Sequence, residues 1–155
     1  MAGTIDARIA ELGITLPPAN KPAGNYVPWV ISGNLVFISG QIPMTDGKPS
    51  HQGKLGAGYS SEDGADAAKV CALAVLAQLK DAVGGDLDRV ARCVRVGGFV
   101  NSAPDFTEQP KIVNGASDLI VAIFGDAGRH ARAAVGVAQL PAGVSVEVEA
   151  IFEIR

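Results

Sequence analysis

The segment from Val144 to Ile154 constrains the fold most. Val144, Val146, Val148, Ala150, Phe152 and Ile154 alternate without a break with Ser145, Glu147, Glu149, Ile151 and Glu153. Successive side chains of a strand point to opposite sides, so this run forms a strand with one continuous apolar face that must be buried. Its other face is acidic, apart from Ser145 and Ile151. A chain carrying such a strand builds a sheet covered on one side, and helices are the natural cover.

The rest of the chain supplies both. Thr4 is placed to cap a short helix with Ile5, Ile9 and Leu12 on one stripe, ended by Gly13. Prolines and glycines from Leu16 to Gly24 then enforce an extended connector. Tyr26–Ile31 and Leu35–Ser39 flank Ser32-Gly33-Asn34 and read as a β-hairpin, and Gly40–Gly58 reads as a long loop. A helix is predicted over Glu62–Val83, with Ser60 as its cap, Asp63 three residues on, and a stripe of Ala68, Ala72, Val75, Leu79 and Val83. A strand over Val90–Val100 follows, with Val90, Val94, Val96 and Val100 on one side and a bulge expected at Gly97-Gly98. A second helix runs over Ile112–Phe124, its stripe formed by Ile112, Ala116, Leu119 and Ile123. Ala131–Leu140 and Val144–Ile154, joined by Pro141-Ala142-Gly143, read as a closing hairpin. The expected architecture is one α+β domain over residues 1–155, residues 1–24 forming an appended helix and connector and residues 25–155 the core. Two helices cover one face of a mixed, mostly antiparallel sheet. Val135, Val137 and Ile151 extend apolar surface beyond what one helix layer covers, so a closed homo-oligomer is expected.

Composition narrows the function classes. The chain has 155 residues, 48% of them hydrophobic, and a formal net charge of -3 with no Lys/Arg cluster. Phosphate backbones find no electrostatic footprint here, so nucleic acid is not the expected partner. No apolar run reaches the length of a membrane helix, and residues 1–16 lack the apolar core of a secretory signal. A cytoplasmic location is expected, with Cys71 and Cys93 as reduced thiols buried in apolar stretches. Neither His51 nor His130 stands in a metal-ligand spacing. Ser39, Ser60 and Ser117 lie outside any GxSxG elbow, with no local His-Asp set beside them.

Arg132 stands out, because a guanidinium in an apolar strand is costly to bury unless it meets an anion. Two readings are open. Arg132 pairs with Glu147 across the expected hairpin, or it captures an anion while Glu147 handles water or protons.

The strings Ser39-Gly40-Gln41-Ile42-Pro43, Arg132 to Val137, Leu140-Pro141 and Val146-Glu147-Val148-Glu149-Ala150 resemble the Rid family. This is the YjgF-like group of reactive-intermediate deaminases, also called endoribonuclease L-PSP. The resemblance runs from about Tyr26 to the C-terminus. It implies a chorismate-mutase-like β-α-β-α-β-β fold and a homotrimer with a barrel-like core and sites in clefts between subunits. It also implies hydrolysis of small enamine or imine acids, 2-aminoacrylate for example, without metal or organic cofactor. On this likeness Arg132 binds the substrate carboxylate, and Glu147 positions the attacking water. Tyr26, Ser39, Gly40, Asn114 and the backbone of Ala134 line the cleft. The chain departs from better-studied members at Ala134, where some carry Cys, and at His130, where Pro is common. It departs again at Gly115-Ala116-Ser117, which replaces a stretch with an aromatic, at the N-terminal extension, and in the longer Phe106–Asn114 connection.

Overall fold

The protein is described by a computed structural model over residues 3–155. Its elements are α1 (Thr4–Glu11), β1 (Trp29–Ser32), β2 (Leu35–Gln41), β3 (Met44–Thr45), β4 (Lys48–Pro49) and α2 (Ser61–Ala82). β5 (Val90–Asn101), α3 (Gln109–Phe124), β6 (Ala131–Val137) and β7 (Val146–Ile154) complete the chain. The five long strands form one sheet in the order β1-β2-β7-β5-β6, with β6 parallel to β5 and all other neighbours antiparallel.

The alternation in β7 places it at the centre, paired on both sides. Its apolar face carries Val146, Val148, Ala150, Phe152 and Ile154, all buried beneath the helices. Phe152 is fully enclosed and meets the ring of Phe124 on α3 with centroids 6.1 Å apart. Truncating it to Ala would cost about 3–5 kcal/mol. α2 packs the same core through Ala68, Ala72, Val75 and Leu79, and its cap is the expected one, with Ser60 Oγ accepting from the Asp63 N–H at 3.0 Å. The two helices approach so closely that a Cβ at Gly115 would run into the carbonyl of Ala65.

Several expectations need correction. β6 and β7 are not a hairpin: β7 inserts between β2 and β5, and β6 lies at the far edge. The physical reason is the crossover β5-α3-β6, which returns the chain parallel to β5 while the apolar face of β7 claims the centre of the sheet. Val94 does not share the core side of β5. Register shifts between Val90 and Arg92 and between Cys93 and Arg95 break the period and bring Cys93 inward. At Gly97-Gly98 the pairing is regular, and these glycines are small for lack of room: a Cβ at Gly98 would strike Val113, and one at Gly97 would meet Glu149. Tyr26 precedes β1, and the 40–58 connection contains the small β3–β4 hairpin. Thr4 is the first helical residue of α1, not its cap. The backbone N–H groups of Thr4 and Ile5, which have no acceptor within the helix, donate instead to the carboxylate of Asp88, at 2.8 and 2.9 Å. Those contacts dock α1 on the body of the protein, with Ile9 buried beneath it.

Candidate functional site

Strand pairing decides which side chains share a face. Val96 of β5 is paired with Arg132 on one side and Ala150 on the other, and Val96 and Ala150 are both buried against the helices. Phe99, three residues on, is paired with Val135 and Glu147. Directly paired residues point the same way. Arg132 therefore lies on the helix side of the sheet and Glu147 on the open side.

α3 builds the surroundings of Arg132. Asn114 and Ser117 are three residues apart, so they stand on the same helix face, and the Pro110 carbonyl lies one turn earlier. The Arg132 Nη1 donates to Asn114 Oδ1 at 2.8 Å and to Ser117 Oγ at 3.2 Å, and Nη2 donates to the Pro110 carbonyl at 3.3 Å. None of these acceptors is a carboxylate, so the cross-strand pair with Glu147 does not form. The guanidinium has five N–H groups in a fixed fork. Among the described residues, Nε–H and one Nη2–H have no partner. Ala134 follows on the same side, paired with Gly98 and packed against the core.

Ser117 and His130 were not among the expected site residues, yet both belong here. His130 Nε2 is 2.8 Å from Ser117 Oγ, and His130 Nδ1 is 2.7 Å from the Gly128 carbonyl. The i, i+3 spacing of Asn114 and Ser117 was the available signal for the serine.

The other expected residues gather on the far side of the sheet. Ser39 Oγ donates to the Val27 carbonyl at 2.8 Å, which ties the segment after Tyr26 to β2. A recess of 210 Å³ there is lined by Tyr26, Ser39, Gly40 and Gln41, with Asn20 and Lys21 from the N-terminal connector. Lys21 is a cation that the sequence did not single out. The register of β2 against β7 shifts between Ile38 and Gln41, and at this irregularity a Cβ on Gly40 would collide with Glu147 Oε1. Glycine at position 40 thus lets the carboxylate lie against the strand. Burial pushes the Glu147 carboxyl above the ordinary glutamate range, and the neighbouring charge of Glu149 adds to the shift.

The structure therefore makes two groupings: Arg132, Asn114 and Ala134 on one side, and Tyr26, Ser39, Gly40 and Glu147 on the other. His51, read as a loop histidine, bridges Ser50 and Asp66 at 2.9 Å each. Among the described residues no group of three or more His, Cys, Asp or Glu could hold a metal ion, and no helix is long and apolar enough to cross a membrane.

A mostly antiparallel five-stranded sheet covered by helices on one face defines a chorismate-mutase-like α+β protein. The family described as "YjgF/chorismate_mutase-like, putative endoribonuclease" matches residues 6–151, and the chain belongs to it. It is 51% identical to Protein TCP17 of Trypanosoma cruzi over 155 residues, covering 99% of this chain and 96% of the relative. The crystal structure of Atu1372 from Agrobacterium tumefaciens, a protein of unknown function, superposes with a TM-score of 0.91 at 49% identity, covering 97% of this chain and 92% of that one. TdcF from E. coli, solved with bound serine, superposes with a TM-score of 0.61 at 26% identity, covering 88% of this chain and 93% of its own.

Proposed function

We propose that this protein is a hydrolytic deaminase of small enamine or imine acids, yielding a 2-keto acid and ammonia. The observation that carries the reading is the Arg132 guanidinium, held by three neutral acceptors with Nε–H and one Nη2–H unengaged. Two free guanidinium donors on neighbouring nitrogens match a carboxylate. Serine bound to the related TdcF is a small molecule of the fitting kind, with a carboxylate beside an amino-bearing carbon.

The chemistry is economical. An enamine acid tautomerises to its imine, whose C2 is electrophilic. Water adds to C2 of the protonated imine as Glu147 takes one of its protons, giving a neutral carbinolamine. Glu147 returns that proton to nitrogen, and as the C–N bond breaks the hydroxyl proton passes back to Glu147, releasing ammonia and the 2-keto acid. A carboxyl raised by burial suits a group that both takes and gives a proton. Holding the acid beside the water supplies much of the acceleration.

Arg132 and Glu147 face opposite sides of one sheet, so the reading places the reaction between two copies, in a homotrimer. One copy contributes Arg132, Asn114 and the Ala134 backbone, and its neighbour contributes Tyr26, Ser39, Gly40 and Glu147. The open sheet face has the exposed apolar residues an assembly would cover, among them Val30, Phe37 and Val135. A non-catalytic binder of small amino or keto acids is the second reading, favoured by the serine in TdcF. RNA is not the proposed substrate, given the net charge of -3 and the lack of a basic cluster.

The test is hydrolysis of 2-aminoacrylate by purified protein, with semicarbazide competing for the imine. Accelerated loss of the trappable imine is expected, and it must disappear in Arg132→Ala. Carboxylate binding without turnover would leave the second reading standing.

A further inference from the structure

We infer that Ser117 and His130 are positioning residues for Arg132, forming a relay that fixes which edge of the guanidinium is offered to a planar carboxylate. The inference rests on the carboxylate clamp proposed above, and it concerns two residues at which this chain departs from the family pattern it resembles.

The relay has a defined direction. The Gly128 carbonyl can only accept, so His130 carries its hydrogen on Nδ1, 2.7 Å away. In the neutral ring Nε2 is then an acceptor. Ser117 donates its hydroxyl hydrogen to that nitrogen at 2.8 Å, which leaves its oxygen lone pairs to accept from Arg132 Nη1 at 3.2 Å. The chain of donors runs from Arg132 through Ser117 and His130 to the backbone.

The far end is anchored. Gly128 is buried in the 3-10 turn that joins α3 to β6. A Cβ there would lie 2.7 Å from the Ile120 carbonyl and 2.9 Å from the Val121 Cα, so the turn is pressed against the helix. Ser117 on α3 and Arg132 on β6 are thereby held at a fixed spacing. With Asn114 taking the other Nη1 hydrogen at 2.8 Å and the Pro110 carbonyl holding Nη2 at 3.3 Å, rotation of the fork about Nε–Cζ would break three hydrogen bonds at once. The donors that remain are Nε–H and one Nη2–H. The ligand class that matches them is a single planar two-oxygen anion, a 2-keto or 2-imino acid.

Two measurements on the full chain test this. The first needs no ligand: NMR of the Arg132 guanidinium reads how fast its Nη groups rotate. Slow rotation is expected in the wild type, and faster rotation in Ser117→Ala and in His130→Phe, which keeps the ring bulk without the acceptor. The second is an NMR titration with pyruvate. Each single variant is expected to weaken pyruvate binding about five- to tenfold, the worth of one lost hydrogen bond. The double variant should lose no more than the worse single one, because the two residues act in series. Ser117→Thr, which keeps the hydroxyl, should return most of the affinity.

Unchanged rotation and affinity in the single variants would overturn the relay, and so would losses that multiply in the double variant. If either single variant fails to fold, Ser117→Val and His130→Leu, which also remove the hydroxyl and the ring acceptor, are read the same way. Wild-type protein that binds no pyruvate would overturn both the clamp and the relay. Protein that binds pyruvate through Arg132 and the relay but does not hydrolyse 2-aminoacrylate would overturn only the deaminase reading.

Discussion

Arg132 and Glu147 lie on opposite faces of one sheet, because β5 separates their strands and pairs with them at positions of opposite parity, Val96 and Phe99. One chain therefore cannot close both residues on one small substrate. Each is nonetheless prepared locally, Arg132 by three acceptors from α3 and Glu147 by burial against the glycine of the β2 bulge. Two half-sites on one protomer are the arrangement a rotationally symmetric assembly would use.

Arg132→Ala is expected to abolish imine hydrolysis without loss of fold, since the partners it leaves behind are a side-chain amide, a hydroxyl and a carbonyl, and no buried carboxylate is orphaned. Arg132→Lys should lose about ten- to a hundredfold in kcat/KM, because an ammonium keeps the charge but not the two-donor edge. Steady-state kinetics beside thermal unfolding checks both.

Glu147→Gln should lower kcat by about 10²–10⁴-fold, the usual worth of a general base. Its effect on stability has the opposite sense. The folded state holds the Glu147 proton to higher pH than the unfolded chain does. The stability this group contributes therefore falls as pH rises from the ordinary carboxylate range through the raised value. Glu147→Gln removes that loss. Its Tm should exceed the wild type at neutral pH and converge with it in acid, as pH-dependent calorimetry would read.

Cys71 and Cys93 should be dispensable and unreactive. Burial pushes the Cys71 thiol well up and the Cys93 thiol up to about 12, so neither presents a thiolate at neutral pH. The double Cys→Ala variant should retain turnover, and native protein should resist iodoacetamide. Labelling of either cysteine without denaturant would contradict the packing of the core.

The Asp88 contact governs the N-terminal helix. Hydrogen bonds from the N–H groups of Ile5 and Thr4 hold its carboxyl below the ordinary aspartate range. The stability it contributes is present above the unfolded value and is lost as pH falls through the lowered folded one. Asp88→Ala should raise hydrogen exchange across α1 while leaving β5 and β7 protected. Uniform loss of protection would contradict a local docking role.

Much of this architecture was legible because single elements are local. The alternation of β7, the Ser60 cap of α2 and the stripe of α3 each follow from periodicity and end chemistry. Sheet order was not legible, because a three-residue Pro-Ala-Gly link between two apolar strands reads as a hairpin when no information about β2 and β5 enters. The strand-helix-strand run of β5, α3 and β6 held the missing clue, since such a unit places its strands parallel and adjacent. The site shared that fate. Residue chemistry pointed to Arg132 and Glu147, and the family resemblance to Asn114 and Gly40, but which of them share a face depends on register. Ser117 and His130 meet only once β6 has returned alongside α3.

The most direct test of the split site is subunit mixing. Arg132→Ala and Glu147→Gln proteins, each inactive alone, are unfolded together in equal amounts and refolded. Random trimers should then regain about a quarter of wild-type activity, because each cleft takes one half-site from each of two neighbours. Activity no higher than that of the separately refolded variants, with mixed assemblies verified by native mass spectrometry, would contradict a site shared between copies.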